Sequence, residues 1–366
     1  MRTLILITLL SVLAGRAAGQ EVRQTRTALS VIPFLSYTPE TRIMGGIGGF
    51  YTVRPDSGSD KRPSSIAMAA EYTQEGQAGA GMYPEMYAAE DRIRVTGLLE
   101  YYINPYGFFG IGNANTEGAR EIYTPEGFRV HGTVIHAITG ERVGRGLALG
   151  LRAELRYDDI QSIAPRADGG TPVLGQRTLA GSHGGWYNGL GIVALYDTRN
   201  SLFAPTDGEL VEASVVHYGK TLGSVTHATT TIIDGRLYRP LADGLTYAAH
   251  VQIWNAGGSP IFTQIPHIGG ASSVRGVYDG RYRDQTSIAI QQELRFPLFW
   301  RFSGAAFVDA GQVMPAWQQM RMGAFHYGIG GGVRFRIFND DDAALRVDVG
   351  VHRGVAQLYV GFNEAF

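Results

Sequence analysis

From about residue 26 onward the chain is written in period two. In "ALRVDVGV", Leu345, Val347, Val349 and Val351 alternate with Arg346, Asp348 and Gly350. "GGVRFRIF" sends Val333, Phe335 and Ile337 one way and Arg334 and Arg336 the other. "IAIQQELRF" sets Ile288, Ile290, Leu294 and Phe296 on one face and Ser287, Gln291, Glu293 and Arg295 on the other, with Gln292 an exception on the apolar side. Strict alternation marks strands whose two faces meet different surroundings. In a soluble sandwich the apolar face points inward; in a membrane barrel it points to lipid and the polar face lines the interior. Here the would-be interior carries Arg334, Arg336, Arg346, Asp348, Glu293 and Asp309, and no second sheet or helical pattern covers the apolar faces. The segments run to about ten residues, as a tilted membrane strand requires, whereas strands of soluble proteins average roughly five or six. The pattern predicts an all-β, transmembrane antiparallel β-barrel.

Counting places strands at 26–37, 41–54, 63–73, 77–86, 91–103, 126–139, 146–158, 186–197, 208–218, 226–238, 244–255, 284–296, 300–309, 323–338, 343–351 and 355–363. That is about sixteen, an even number as bacterial barrels have. After the fifth strand the connections alternate. Those at 104–125, 159–185, 256–283 and 310–322 are long, while "TGER", "RPLADG", "PLFW" and "FNDDD" are turn-like. Short turns belong to the periplasm and long loops to the outside. "RPDSGSDKRPSS" breaks the rule, being long where a turn is expected.

Composition narrows the function. The 32 basic and 33 acidic side chains balance, which argues against a nucleic-acid partner. Cysteine is absent, so there is no disulfide framework and no thiolate zinc site. At the N-terminus, Met1-Arg2, the apolar run Leu4–Ala14 and the small residues Ala17-Ala18-Gly19 read as a signal peptide over 1–19. That leaves 20–366 as one barrel domain. Enzyme signals are poor: nine scattered histidines, no HExxH, and His131 and His136 on opposite faces of one strand. "DDD" at 340–342 reads as a solvated turn, and the glycine runs "GGIGGF" and "GIGGGV" lie within strands, unlike a phosphate loop. No cofactor and no metal is implied.

"GGASSVRGVYDGRYRDQ", Gly269–Gln285, sets arginines among glycines in the connection between strands 11 and 12. Two readings are open. Arg275 enters the polar interior, where an unpaired guanidinium would cost several kcal/mol and must find Glu293 and Asp309 on the next two strands. Otherwise it is a solvated loop residue and the acids balance neighbouring arginines.

The segment resembles the outer-membrane insertase superfamily (bacterial surface antigen family) that includes BamA, TamA and the two-partner secretion transporters. The resemblance rests on the tip Val274-Arg275-Gly276-Val277, on "ELRFPLFW", "FVDAG", "YDTRNSLFAPTDG" and "FFGIGN", and on the terminal "GFNEAF". Val277 replaces the family's tip aromatic, and Tyr278 follows directly. The resemblance implies an inward-folded extracellular loop whose Arg275, with Gly276, pairs with Glu293 and Asp309. It also implies an outer-membrane location and a role in assembling or translocating outer-membrane proteins or lipids. Its partners would be the lipid bilayer, periplasmic or membrane assembly proteins and unfolded outer-membrane clients. There is no room between Gln20 and the first strand for the family's periplasmic POTRA repeats. The remaining alternatives are a structural subunit, a passive pore and a surface hydrolase, the last without a supporting motif.

Two end features complete the expectations. Pro33 sits in the first strand, where proline removes a ladder donor. It marks either a weak seam against the last strand (Leu358, Val360, Phe362) or a local bulge. Phe366 is a terminal aromatic, read either as an assembly signal or as ordinary packing of a lipid-facing strand.

Overall fold

The computed structural model describes residues 27–55, 61–337 and 344–366. The signal segment 1–19 and the "DDD" turn lie outside the described residues. Sixteen strands close into one antiparallel barrel. They are β1 (Thr27–Thr38), β2 (Arg42–Val53), β3 (Ser64–Thr73), β4 (Ala78–Ala88), β5 (Ile93–Ile103), β6 (Glu121–Ala137), β7 (Gly146–Ile163) and β8 (Gly185–Asp197). The second half holds β9 (Gly208–Tyr218), β10 (Ala228–Ala242), β11 (Leu245–Gly258), β12 (Thr286–Pro297), β13 (Phe302–Met314), β14 (His326–Arg336), β15 (Ala344–His352) and β16 (Val355–Phe362). Each strand pairs with its neighbours in sequence, and β16 returns to β1. Among the described residues no helix is long and apolar enough to cross a membrane; the strands do the crossing.

Alternation sorts the side chains. Val333, Val347, Val349 and Leu358 point outward and are exposed, whereas Arg334, Arg346 and Asp348 are buried inside. Arg336 departs from the expectation: as the last residue of β14, at the barrel mouth, it is exposed.

Several strands outrun their apolar pattern. β6 begins at Glu121 rather than 126, β7 continues to Ile163 rather than 158, and β13 to Met314 rather than 309. The extra residues of β6 and β7 pair with each other, Tyr123 opposite Ile163 and Thr124 opposite Ser162, with a register shift at Pro125. This projecting ribbon packs on the long connections, with Tyr123 and Ile160 against Phe108, Leu174 and Phe262, so no lipid-facing alternation announces it.

The interior is filled unevenly. On the β1–β5 side, Phe34, Phe50, Ala67, Tyr83 and Leu98 form an apolar cluster. At the end bearing the short turns, Val143 of the β6–β7 turn packs into Ile135, Ala148, Val193, Leu195 and Leu210. At the other end three long connections, β5–β6, β11–β12 and β13–β14, interlock. Asn113 of the β5–β6 connection donates to the Ala324 carbonyl at 2.7 Å and accepts from the Val313 N–H at 3.1 Å. Its neighbour Gly112 bridges to Arg283 in the β11–β12 connection.

Candidate functional site

The β11–β12 connection enters the barrel and packs Ile268, Val274, Val277 and Tyr282 against Ala289 of β12 and Val313 of β13. Gly276, at φ +93°, makes the turn at its tip. A Cβ there would lie 2.8 Å from the His352 backbone nitrogen, so only glycine fits without a shift. The wall is hollowed to match. A Cβ on Gly328 would meet the Arg275 carbonyl oxygen at 2.0 Å, and one on Gly350 would meet the Arg275 Cβ at 2.7 Å. Gly330 leaves space for the Phe307 ring, and Gly332 for Asp348. The glycine run of β14 is thus the seat of the loop. Every second residue of a strand shares a face, which is how Gly328, Gly330 and Gly332 come to line one side.

Arg275 is fully buried. Its Nε donates to Asp309 Oδ2 at 2.7 Å and its Nη2 to Asp309 Oδ1 at 2.8 Å, a two-pronged fork. Its own backbone N–H adds a third bond to Asp309 at 3.0 Å. Nη1 donates to Glu293 and, at 3.4 Å, to Asp348. The guanidinium carbon lies 3.4 Å from the centre of the Phe307 ring, a cation–π contact that needs no water. The sequence's two candidate acids therefore both touch Arg275, and Asp348 joins them. The Gly276 N–H donates to the Tyr359 hydroxyl at 3.0 Å, tying the loop to β16.

The charges continue below this centre. Glu293 accepts from Arg295 at 3.0 Å. Arg334 donates to Asp348 at 2.5 Å and to Glu364 at 2.8 Å. Each buried cation meets carboxylates and each carboxylate meets cations, the condition for burying charge at all. Tyr278 faces away from this network, against Tyr106 at 6.3 Å and Phe109 at 5.5 Å, with the Arg120 guanidinium 5.2 Å from its ring. Burial pushes its phenol up to about 12. Val277 is buried in the apolar cluster at the tip, and Tyr278 supplies the aromatic contact one residue later.

The seam is the barrel's weakest joint. β1 pairs with β2 along its whole length, from Thr27↔Val53 to Thr38↔Arg42. It pairs with β16 only at Tyr37↔Val360. The ladder runs through Pro33↔Ile47 without a register shift, so the bulge reading of Pro33 is corrected: the strand stays regular. Leu358 is exposed on the outer face. Phe362 packs against the Phe34 cluster instead of facing lipid with Leu358.

The reading of Phe366 as ordinary packing of a lipid-facing strand is also corrected. Phe366 lies beyond β16 and inside the lumen, stacked on His250 at 5.2 Å, with its carbonyl accepting from Arg295 at 3.2 Å. Asn363, at φ +56°, turns the chain inward, and the ion pairs of Glu364 with Arg334 and Arg295 hold it there. No strand alternation could reveal a tail that leaves its strand.

Comparison with known proteins gives one family and one fold. The Omp85 superfamily domain matches residues 61–337. BamA from Haemophilus ducreyi lacking POTRA domains 1–3 superposes with a TM-score of 0.64 at 12% identity, over 92% of this chain and 70% of that one. CdiB from Escherichia coli gives 0.60 at 10% identity over 93% and 63% of the two chains. CdiB from Acinetobacter baumannii gives 0.56 at 14% identity over 92% and 59%. The chain thus spans less than two thirds of either CdiB. None of the curated protein sequences compared with it matches.

Proposed function

We propose, from the premise that the chain belongs to the Omp85 superfamily, that this outer-membrane barrel assembles or translocates outer-membrane proteins or lipids by lending the free edge of β1 to an incoming strand. The observation that carries the reading is the seam. Among the described residues, Val31–Ser36 have ladder partners only in β2. In lipid each unsatisfied backbone polar group costs several kcal/mol, so a sparsely paired edge at membrane depth favours any strand that can complete it, the logic of β-augmentation. The loop around Arg275, seated inside the barrel against β12 and β13, supports the same reading over a passive pore.

In this proposal Arg275, Gly276, Glu293 and Asp309 hold the loop as a brace, and Val274, Val277 and Tyr278 fix its tip. Pro33, Leu358, Val360 and Phe362 belong to the gate. Phe366 serves as an assembly signal only in the unfolded chain, before the tail docks. Residues 1–19 direct export and 20–366 form the barrel domain. Periplasmic or membrane partners deliver the client, and the chemistry is hydrogen-bond exchange rather than catalysis.

The test combines depletion with a lock. Depleting the protein should lower a defined set of outer-membrane components. Cysteines at Tyr37 and Val360, oxidised to a disulfide, should reproduce that loss, and reduction should restore them. Full activity of the locked barrel, or steady single-channel conductance of the wild type, would overturn the reading.

A further inference from the structure

The barrel end that bears the short turns holds a cavity lined by arginine. Its volume is about 500 Å³, within the range of small-ligand sites. Three connections close around it: Arg62 comes from the β2–β3 connection, Arg142, Gly144 and Arg145 from the β6–β7 turn, and residues 198–202 from the β8–β9 connection. The carboxylates near these arginines are already engaged. Asp197 gives its two oxygens to the fork of Arg199, at 3.0 Å each. Asp91 accepts the Arg62 backbone N–H at 2.8 Å and lies 4.0 Å from Arg142. Among the described residues, neither the Arg62 nor the Arg145 guanidinium has a carboxylate partner. The Arg62 guanidinium lies 5.5 Å from the centre of the Tyr87 ring. It sits over Gly144, where a Cβ would stand 3.1 Å from it. The Val143 N–H donates to the Asp91 carbonyl at 3.0 Å, so the β6–β7 turn and Arg62 are tied to one residue. These bonds set the arginines around one volume before any ligand arrives. We propose that this cavity binds a terminal phosphate group.

The ligand class follows from charge and shape. Arg62 and Arg145 leave two positive charges without a carboxylate. A phosphate monoester carries about −1.5 to −2 at neutral pH and offers three strong acceptor oxygens. A carboxylate carries one charge and fills one guanidinium fork. The cavity is also far larger than a phosphate group, and Leu202 among its lining residues is strongly exposed. Such a border suits a phosphate at the head of an apolar chain as well as the free ion. The stretch "RPDSGSDKRPSS", too long for a turn, thereby gains a role at its described end: it brings Arg62 across to the β6–β7 turn.

Calorimetry on the full barrel in a nonionic detergent at low salt tests the site, and its outcome does not depend on the seam. The probes are inorganic phosphate, dihexanoyl phosphatidic acid, and dihexanoyl phosphatidylcholine as a lipid without a terminal phosphate. The two phosphates should bind and phosphatidylcholine should not. Tighter binding of phosphatidic acid than of inorganic phosphate would assign the site to a lipid headgroup, and equal binding to the free ion. Arg62→Gln and Arg145→Gln should each weaken binding by about tenfold or more, the worth of a hydrogen bond to a charged group. Arg336→Gln removes an exposed cation at the same mouth but outside the cavity, and should leave binding as in the wild type. Each variant is first checked for the heat-resistant folded form. Should Arg62→Gln fail to fold, Arg145→Gln decides, since Arg145 is exposed. No binding of either phosphate, equal binding of phosphatidylcholine and phosphatidic acid, or an equal loss in Arg336→Gln would overturn the proposal.

Discussion

The two sides of the lumen are built on different physics. The wall from β12 to β16 is laced with buried charge: Arg275, Arg295 and Arg334 against Glu293, Asp309 and Asp348. The wall from β1 to β5 is lined by Phe34, Phe50, Ala67, Tyr83 and Leu98. Ion pairs with forked hydrogen bonds fix geometry, since a guanidinium meets a carboxylate in few orientations. Apolar contacts are non-directional and tolerate sliding. The two walls meet at the seam, and there the ladder shrinks to Tyr37↔Val360. One side of the seam is tied to the loop by directional ion pairs; the other rests on non-directional apolar contacts.

That contrast can be broken at its strongest point first. Arg275→Ala should cost on the order of 3–5 kcal/mol, because three buried carboxylates lose their shared cation. The heat-induced loss of the folded band on gels would report it as a large drop in midpoint. Arg275→Lys should recover only part, since an ammonium cannot fork onto Asp309 as the guanidinium does. Arg275→Ala combined with Asp309→Ala should cost less than the sum of the two singles, and strict additivity would mean that the residues do not share one interaction.

Gly328→Ala probes the seat rather than the charge. Its methyl would overlap the Arg275 carbonyl, so a cost of about 1–3 kcal/mol is expected from overpacking. Gly132→Ala, whose methyl meets open space, should leave the midpoint nearly unchanged. Equal effects at the two glycines would remove the claim that β14 is hollowed for the loop.

Phe362→Ala sharpens the other side. Phe362 is half-buried against the Phe34 cluster. Its loss should cost about 1–2 kcal/mol, part of the value of a fully buried side chain, and should speed amide exchange in β16 more than in β12. Uniform acceleration of both strands would argue that the two walls are equally rigid. At the bottom of the scale stands the exposed pair Arg239–Glu209. Arg239→Ala should move the midpoint by less than about 1 kcal/mol, as surface ion pairs do.

Much of this was legible in the sequence. Val347, Asp348 and Val349 announce a strand with one lipid face and one polar face, and their neighbours repeat the pattern often enough to count the strands. Arg275, Glu293 and Asp309 could be nominated, because a loop arginine and two same-face acids are visible as residues. Alternation sends Asp348 inward too, yet its place beside Arg275 depends on barrel curvature, which spacing along one strand does not encode. Gly328, Gly330 and Gly332 were visible only as glycines: what they make room for, Arg275, Phe307 and Asp348, comes from the loop and from the two neighbouring strands. Glu364 and Phe366 were least legible. Their position depends on a single backbone turn at Asn363, and on cations contributed by β12 and β14.

The complete burial of Arg275 also determines how the protein responds to ionic strength. Mobile ions screen charges that water can reach, over a Debye length of about 8 Å at physiological salt. They do not enter a site where Arg275, Glu293 and Asp309 have no exposed side-chain surface. Raising the salt concentration should therefore weaken rim pairs such as Lys61–Glu90 and leave the brace at full strength. The barrel's central charge cluster behaves, toward the surrounding electrolyte, as though it carried no charge at all.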